Sequence, residues 1–323
     1  TLINYASNND GSGLDAIKRK NITLAGSDSL LEKSDLATHP TLKIIPSVAF
    51  GISVIVNLPG VFEVLLPRCA LLEIFAGIIT HWDHATIQKY NPSVVLPHHP
   101  INVCARLAHL GETEIFTTGL KSIYERCPSY SGTPITITAD YNLHVTTPQS
   151  SNEALLDYIR STPYTIGYVS TPTVANDASI QQASIINTTT GQISHPSIAD
   201  VKKTLEDLVL KNKETGEIDF SAAQAAATAW PFAGVNKFIF EDVRSGATER
   251  ECADLRRALE FAFWAILDPE AQRIAEDAGY VALPESLSGV SRQKLVDATC
   301  GDGTWMFPAL RANETTTDDQ NRP

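Results

Sequence analysis

Ile74-Phe75-Ala76-Gly77-Ile78-Ile79-Thr80-His81-Trp82-Asp83 joins an apolar run to a Trp-Asp pair within ten residues. Leu71 to Ile78 reads as a helix leading into the Trp82-Asp83 pair. Outward from it, short apolar runs alternate with amphipathic segments, the pattern of an α/β protein. Leu42 to Ile45 and Gly51 to Val56 read as strands. Asn57-Leu58-Pro59-Gly60 then makes a turn, because proline presets φ and glycine permits φ > 0. Ile101 to Ala105 reads as a strand entering a loop at Arg106, Asn152 to Arg160 as a helix, and Thr165 to Val169 as a strand. Thr248 and Glu251 form a capping box before a helix whose Leu255, Leu259, Ala262, Phe263 and Ile266 share one face. Asp268-Pro269 starts the next helix, and Gly279 stops it.

The 323 residues suffice for two lobes and a sizeable core. Hydrophobic residues make up 43% and charged residues 19%, as in ordinary globular protein. No apolar run reaches the roughly eighteen residues that a membrane span needs. The net charge of −12 argues against nucleic acid, whose phosphates require a basic patch. Five cysteines (Cys69, Cys104, Cys127, Cys252, Cys300) leave at least one unpaired, and no C-x-x-C spacing points to zinc. Asn21, Asn187 and Asn313 stand in N-x-[ST] sequons and are candidate glycosylation acceptors. Thr1 opens no signal peptide, so the chain reads as a mature or excised product. His81 and His84 flank Trp82-Asp83 and His98-His99 sits in a proline-rich turn, so they make a weak metal reading, and Gly301-Asp302-Gly303 is neither a Walker nor a dinucleotide loop. No metal, cofactor or catalysis is expected.

Several blocks together resemble the periplasmic phosphate-binding proteins that feed ATP-driven phosphate transporters. Leu24-Ala25-Gly26-Ser27-Asp28 resembles that family's G-A-S-D strand end. Pro46 to Gly51, then Val54 to Gly60, resemble its next strand and N-x-P-G turn. The Ile74 to Asp83 stretch resembles its I-[FY]-x-G-x-I-x-x-W-[DN] block, and Asn91-Pro92 comes next at the family's spacing. Thr165 to Val169, Ala229-Trp230-Pro231-Phe232 and Gly279 to Pro284 match later, in order. The resemblance implies an α/β, two-lobed periplasmic binding protein-like (type II) fold with a hinge and an interlobe cleft. Lobe I is expected over 1–71 plus 231–310, lobe II over 72–230, and a polar tail or linker over 311–323.

The family's opening strand ends in G-A-G-x-T-F-P. Here Gly301-Asp302-Gly303-Thr304-Trp305-Met306-Phe307-Pro308 resembles that strand end, and Asn4 to Gly13 resembles the family's next segment. A circular permutation fits this displacement. So do a tandem unit and a tail donated as a strand to a neighbouring copy.

The family holds phosphate without metal, using helix N-terminal N–H groups, hydroxyls, one Arg and one Asp. The Asp accepts a proton-bearing phosphate oxygen. On that pattern Asp28 stands for the Asp and Arg106 for the Arg, with Ser12, Ser27, Gly111, Thr113, Thr304 and Phe307 completing the candidate site. The loop after Arg106 departs from the family's R-x-D-G-S-G-T. Aligned without a gap, Ala108 replaces Asp, Leu110 replaces Ser and Glu112 replaces Thr. A one-residue shift lets Gly111-Glu112-Thr113 stand for S-G-T. A carboxylate repels phosphate by ~4 kcal/mol for unit charges at about 4 Å and an effective dielectric of about 20. Asp10, near the family's ligand Ser, raises the same question. Both carboxylates read either as signs of a cationic or zwitterionic ligand or as solvated groups favoured by a helix dipole. For Asp28 and Arg106 the alternative is a buried structural ion pair, and for the hydroxyls it is ordinary helix capping.

Two functions are compatible with these residues. One is a non-enzymatic extracellular or periplasmic protein binding phosphate or another small oxyanion. The other is a structural subunit on the same fold, self-associating through its termini into a filament or array by strand exchange.

Overall fold

The computed structural model describes residues 3–4, 12–28, 31–106, 111–127, 130, 132, 143–206, 209–212, 217–219, 230–242, 248–301 and 303–310. The chain begins with α1 (Ser12–Lys18), β1 (Ala25–Ser27), α2 (Lys33–Thr38), β2 (Leu42–Asn57) and β3 (Leu65–Pro67). Then come α3 (Arg68–Phe75), α4 (Ala85–Gln88), β4 (Asn102–Arg106), α5 (Gly111–Tyr124) and β5 (Thr147–Gln149). They are followed by α6 (Asn152–Ser161), β6 (Thr165–Ser170), α7 (Thr171–Val174), β7 (Gln181–Gln182), β8 (Ser184–Asn187), β9 (Gln192–Ser194) and α8 (Ile198–Leu205). The last elements are β10 (Val209–Asn212), β11 (Glu217–Asp219), β12 (Ala233–Glu241), α9 (Glu249–Leu267), α10 (Pro269–Asp277) and α11 (Glu285–Val296).

The strands expected at Leu42–Ile45 and Gly51–Val56 are one strand of 16 residues, β2. Pro46 does not break it. Pro46 faces Lys237 and Val48 faces Asn236 of β12, so Ser47 is the extra residue of a bulge, where a proline is tolerated. The Ser47 hydroxyl donates to the Asn236 carbonyl at 2.9 Å. Midway, β2 changes partners: Leu42–Gly51 pair with β12 and Ile52–Asn57 with β6. The large sheet therefore runs β1-β12-β2-β6-β4-β5, with β4 parallel to both β6 and β5. Where the chain returns from the second half, the Trp230 indole donates to the Ile52 carbonyl at 2.9 Å and the Ile52 N–H to the Phe232 carbonyl. Trp230 and Phe232 are fully buried there.

The tryptophan–aspartate block ties this second half together. α3 stops at Phe75, and Gly77 comes just after its cap at φ +74°. That is three residues short of the expected Ile78, because the left-handed glycine ends the helical hydrogen bonding. Trp82 is fully buried; its indole donates to the Tyr164 carbonyl at 3.0 Å and its backbone N–H to the His99 carbonyl. The Asp83 carboxylate meets His98 Nδ1 at 2.7 Å, and the His81 ring stacks on His98. Asn91 is buried and pairs through its amide with both the N–H and the carbonyl of Leu65, each at 2.9 Å.

α9 starts in the capping box expected from the sequence: Thr248 Oγ1 accepts from the Glu251 N–H, and the Glu251 carboxylate accepts from the Thr248 N–H. Asp268 caps α10, and Gly279 comes after that helix at φ +87°. Two disulfides, Cys69–Cys127 and Cys252–Cys300, leave Cys104 as a buried thiol. After Cys300 the chain folds back on itself: Trp305 bridges Thr299, and the Met306 N–H donates to the Ala298 carbonyl. Among the described residues no helix is long and apolar enough to cross a membrane. The polar tail expected over 311–323, the sequon at Asn313, Asp10, Ala108 and Leu110 lie outside the described residues.

Candidate functional site

Asp28 lies just after β1, and Gly111 opens α5. A methyl group at Gly111 would overlap the Asp28 carboxylate, so that carboxylate rests directly on the first turn of the helix. Helix first turns carry N–H groups without intrahelical acceptors and the positive end of the dipole, which suits them to anions. Lys237, in register opposite Ser27, fixes this corner by donating to the Asp28 carbonyl at 2.8 Å. Lys237 is only 5% exposed. Burial pushes its pKa down to about 8, although the negative charges of Asp28 and Glu114 pull it upward. Glu114, one turn along α5, is pushed up by its own burial and held back by Lys237.

A depressed lysine has a definite sign in stability. Below about pH 8 Lys237 is charged in both states and its burial cost is fully present. Between about pH 8 and its ordinary 10.5 only the unfolded chain keeps the proton, so stability rises with pH. Lys237→Met should lack a rise of about 2 kcal/mol that the intact chain shows between about pH 8 and pH 10. Urea unfolding of both proteins at the two pH values measures the difference.

Arg106 ends β4, and its Nη1 donates to Asn152 Oδ1 at 3.1 Å. Its Nε is buried with no hydrogen-bond partner among the described residues. The Asn152 amide nitrogen donates in turn to Glu112 Oε1 at 3.2 Å, and the Ser170 backbone N–H reaches the same oxygen at 3.2 Å. The ends of β4 and β6 and the start of α6 thus converge on Glu112. Asp28 lies on the adjacent residue, Gly111. The first turn of α5 joins the two groups.

The other candidates have separate settings. Thr113 is 1% exposed and its hydroxyl accepts from the Tyr168 phenol at 3.0 Å, within the aromatic core formed with Phe75 and Phe116. Ser27 ends β1, half-buried beside Asp28, and Ser12 opens α1. Thr304 is exposed in the turn after Cys300, and Phe307 lies against Phe263 of α9. Asn21 is exposed, whereas Asn187 is half-buried and accepts from the Thr189 N–H through its side chain. Asn152, Ser170 and Lys237 escape the sequence reading. Lys237 had a signal, a lone cation in the apolar run Val235 to Phe240; the other two look like ordinary helix and strand ends.

Residues 1–254 match the family model described as a PBP superfamily domain. The phosphate-binding protein PstS of Xylella fastidiosa strain 9a5c is 26% identical over 88% of this chain and 75% of its own length. PstS of Haemophilus influenzae is 32% identical, but the match covers only 52% of this chain and 49% of that protein. Among solved structures, the periplasmic phosphate-binding protein PfluDING, solved with phosphate, superposes with a TM-score of 0.68 at 19% identity over 88% of this chain and 85% of its own. A phosphate-binding protein from Stenotrophomonas maltophilia gives 0.63 at 21% identity, over 90% and 86%. The order of the blocks and these matches agree: the chain belongs to the PBP superfamily, and its relatives there are phosphate-binding proteins.

Proposed function

We propose that this chain is a non-enzymatic solute-binding protein that holds phosphate or a related oxyanion in the cleft at the start of α5. The observation that carries this reading is the Asp28 carboxylate seated on Gly111, at the end of a helix suited to anions, with the Arg106 network beginning at the next residue. Helix N–H groups and the Arg106 guanidinium donate to the anion's oxygens. Asp28 accepts the one oxygen that bears a proton. On this reading the two lobes, 1–71 plus 231–310 and 72–230, close around the ligand. Two disulfides favour an oxidising, extracellular or periplasmic setting.

The test is selectivity between phosphate and sulfate, read by thermal shift. Near neutral pH phosphate carries a proton and sulfate does not, so the intact chain should be stabilised by phosphate and ignore sulfate. Asp28→Asn, which can donate to a bare oxygen, should narrow the preference by at least about tenfold, or roughly 1.4 kcal/mol. Equal responses to both anions in the intact chain would remove Asp28 from this role. A chain that ignores phosphate and self-associates would favour the assembly reading instead.

A further inference from the structure

Glu112 is the residue that fits an oxyanion cleft least, and its contacts give it a role. Its Oε1 is held by two donors from separate elements, Asn152 Nδ2 at the start of α6 and the Ser170 N–H at the end of β6, both at 3.2 Å. Asn152 is oriented by Arg106, whose Nη1 donates to its Oδ1 at 3.1 Å. A solvated carboxylate on a helix end would not reach across to residues 40 and 58 positions away. A carboxylate oxygen and a phosphate oxygen ask the same of such donors: two N–H groups and a nearby guanidinium.

We infer that Glu112 is a resident anion of the site, competing with an external oxyanion for the donors Asn152 Nδ2 and the Ser170 N–H. An incoming phosphate displaces the carboxylate from Asn152 and the Ser170 N–H before it can bind fully. Glu112 thereby sets a threshold on affinity and favours anions rich enough in charge and acceptors to compete with it. The effect on affinity rests on the oxyanion reading of the cleft, whereas the placement of Glu112 itself does not.

Three proteins test it: the intact chain, Glu112→Ala and Glu112→Gln, each compared in anion-poor buffer by thermal denaturation and by phosphate titration. Glu112→Ala leaves the two donors without their acceptor. It should melt several degrees lower, and millimolar acetate or formate should restore the loss in this variant only. Both variants should bind phosphate at least tenfold more tightly than the intact chain. Glu112→Gln keeps the side chain's shape and preserves the affinity test if the alanine variant folds poorly. An alanine variant that melts like the intact chain, or that small carboxylates do not rescue, would overturn the inference. So would phosphate binding that is measurable in all three proteins and no tighter in the variants. If none of the three proteins responds to phosphate but acetate rescues Glu112→Ala, the oxyanion function fails while the resident-anion role stands.

Discussion

Arg106→Ala should weaken phosphate binding at least about a hundredfold, or roughly 3 kcal/mol. The guanidinium stands at the end of β4 with one nitrogen on Asn152 and a second, Nε, buried without a partner among the described residues. A charge-assisted hydrogen bond contributes roughly 1.5–3 kcal/mol, and the variant loses both that bond and the attraction of a fixed positive charge. It also frees Asn152, whose amide nitrogen donates to Glu112. The fold should tolerate the change. Arg106 is the last residue of β4, while the packing of that strand comes from Val103, Cys104 and Ala105, all buried. Calorimetry on a variant that melts within a few degrees of the intact chain is the relevant measurement. Affinity that survives the substitution would mean that Arg106 serves Asn152 and the sheet only.

Replacing the Cys69–Cys127 pair with alanines should cost about 4 kcal/mol of unfolding free energy. The bridge closes a loop between positions 58 apart, and the chain entropy removed from an unfolded loop of that length is of this size. It joins α3 to the segment just past the end of α5. Phosphate affinity should change less than stability, because the first turn of α5, at the far end of that helix, is placed by Tyr168 and the aromatic core. Denaturant titration of the double variant reads the first effect, and phosphate titration the second. A variant as stable as the intact chain would mean that the unfolded chain is already restrained over this loop.

The strongly patterned pieces were legible in the sequence for local reasons. The capping box at Thr248, the proline start at Pro269 and the glycine stop at Gly279 depend on neighbouring residues alone, and the structure shows each of them. The continuity of β2 across Pro46 was not legible, since the bulge that accommodates the proline is set by Asn236 and Lys237, which are remote in sequence. At the site, motif matching singles out Asp28 and Arg106 but cannot supply their neighbours. That Gly111 lies under Asp28, that Thr113 turns inward to Tyr168 and that Glu112 reaches Asn152 and Ser170 are facts of tertiary packing.

Calorimetric titration of the intact chain with inorganic phosphate at neutral pH measures whether this chain binds the anion at all. The proposed site at the start of α5 predicts saturable binding of one phosphate per chain, with a dissociation constant below about 1 mM, equivalent to about −4 kcal/mol, even with Glu112 in place. No heat and no thermal shift at millimolar phosphate, from a chain shown to be folded, would contradict it.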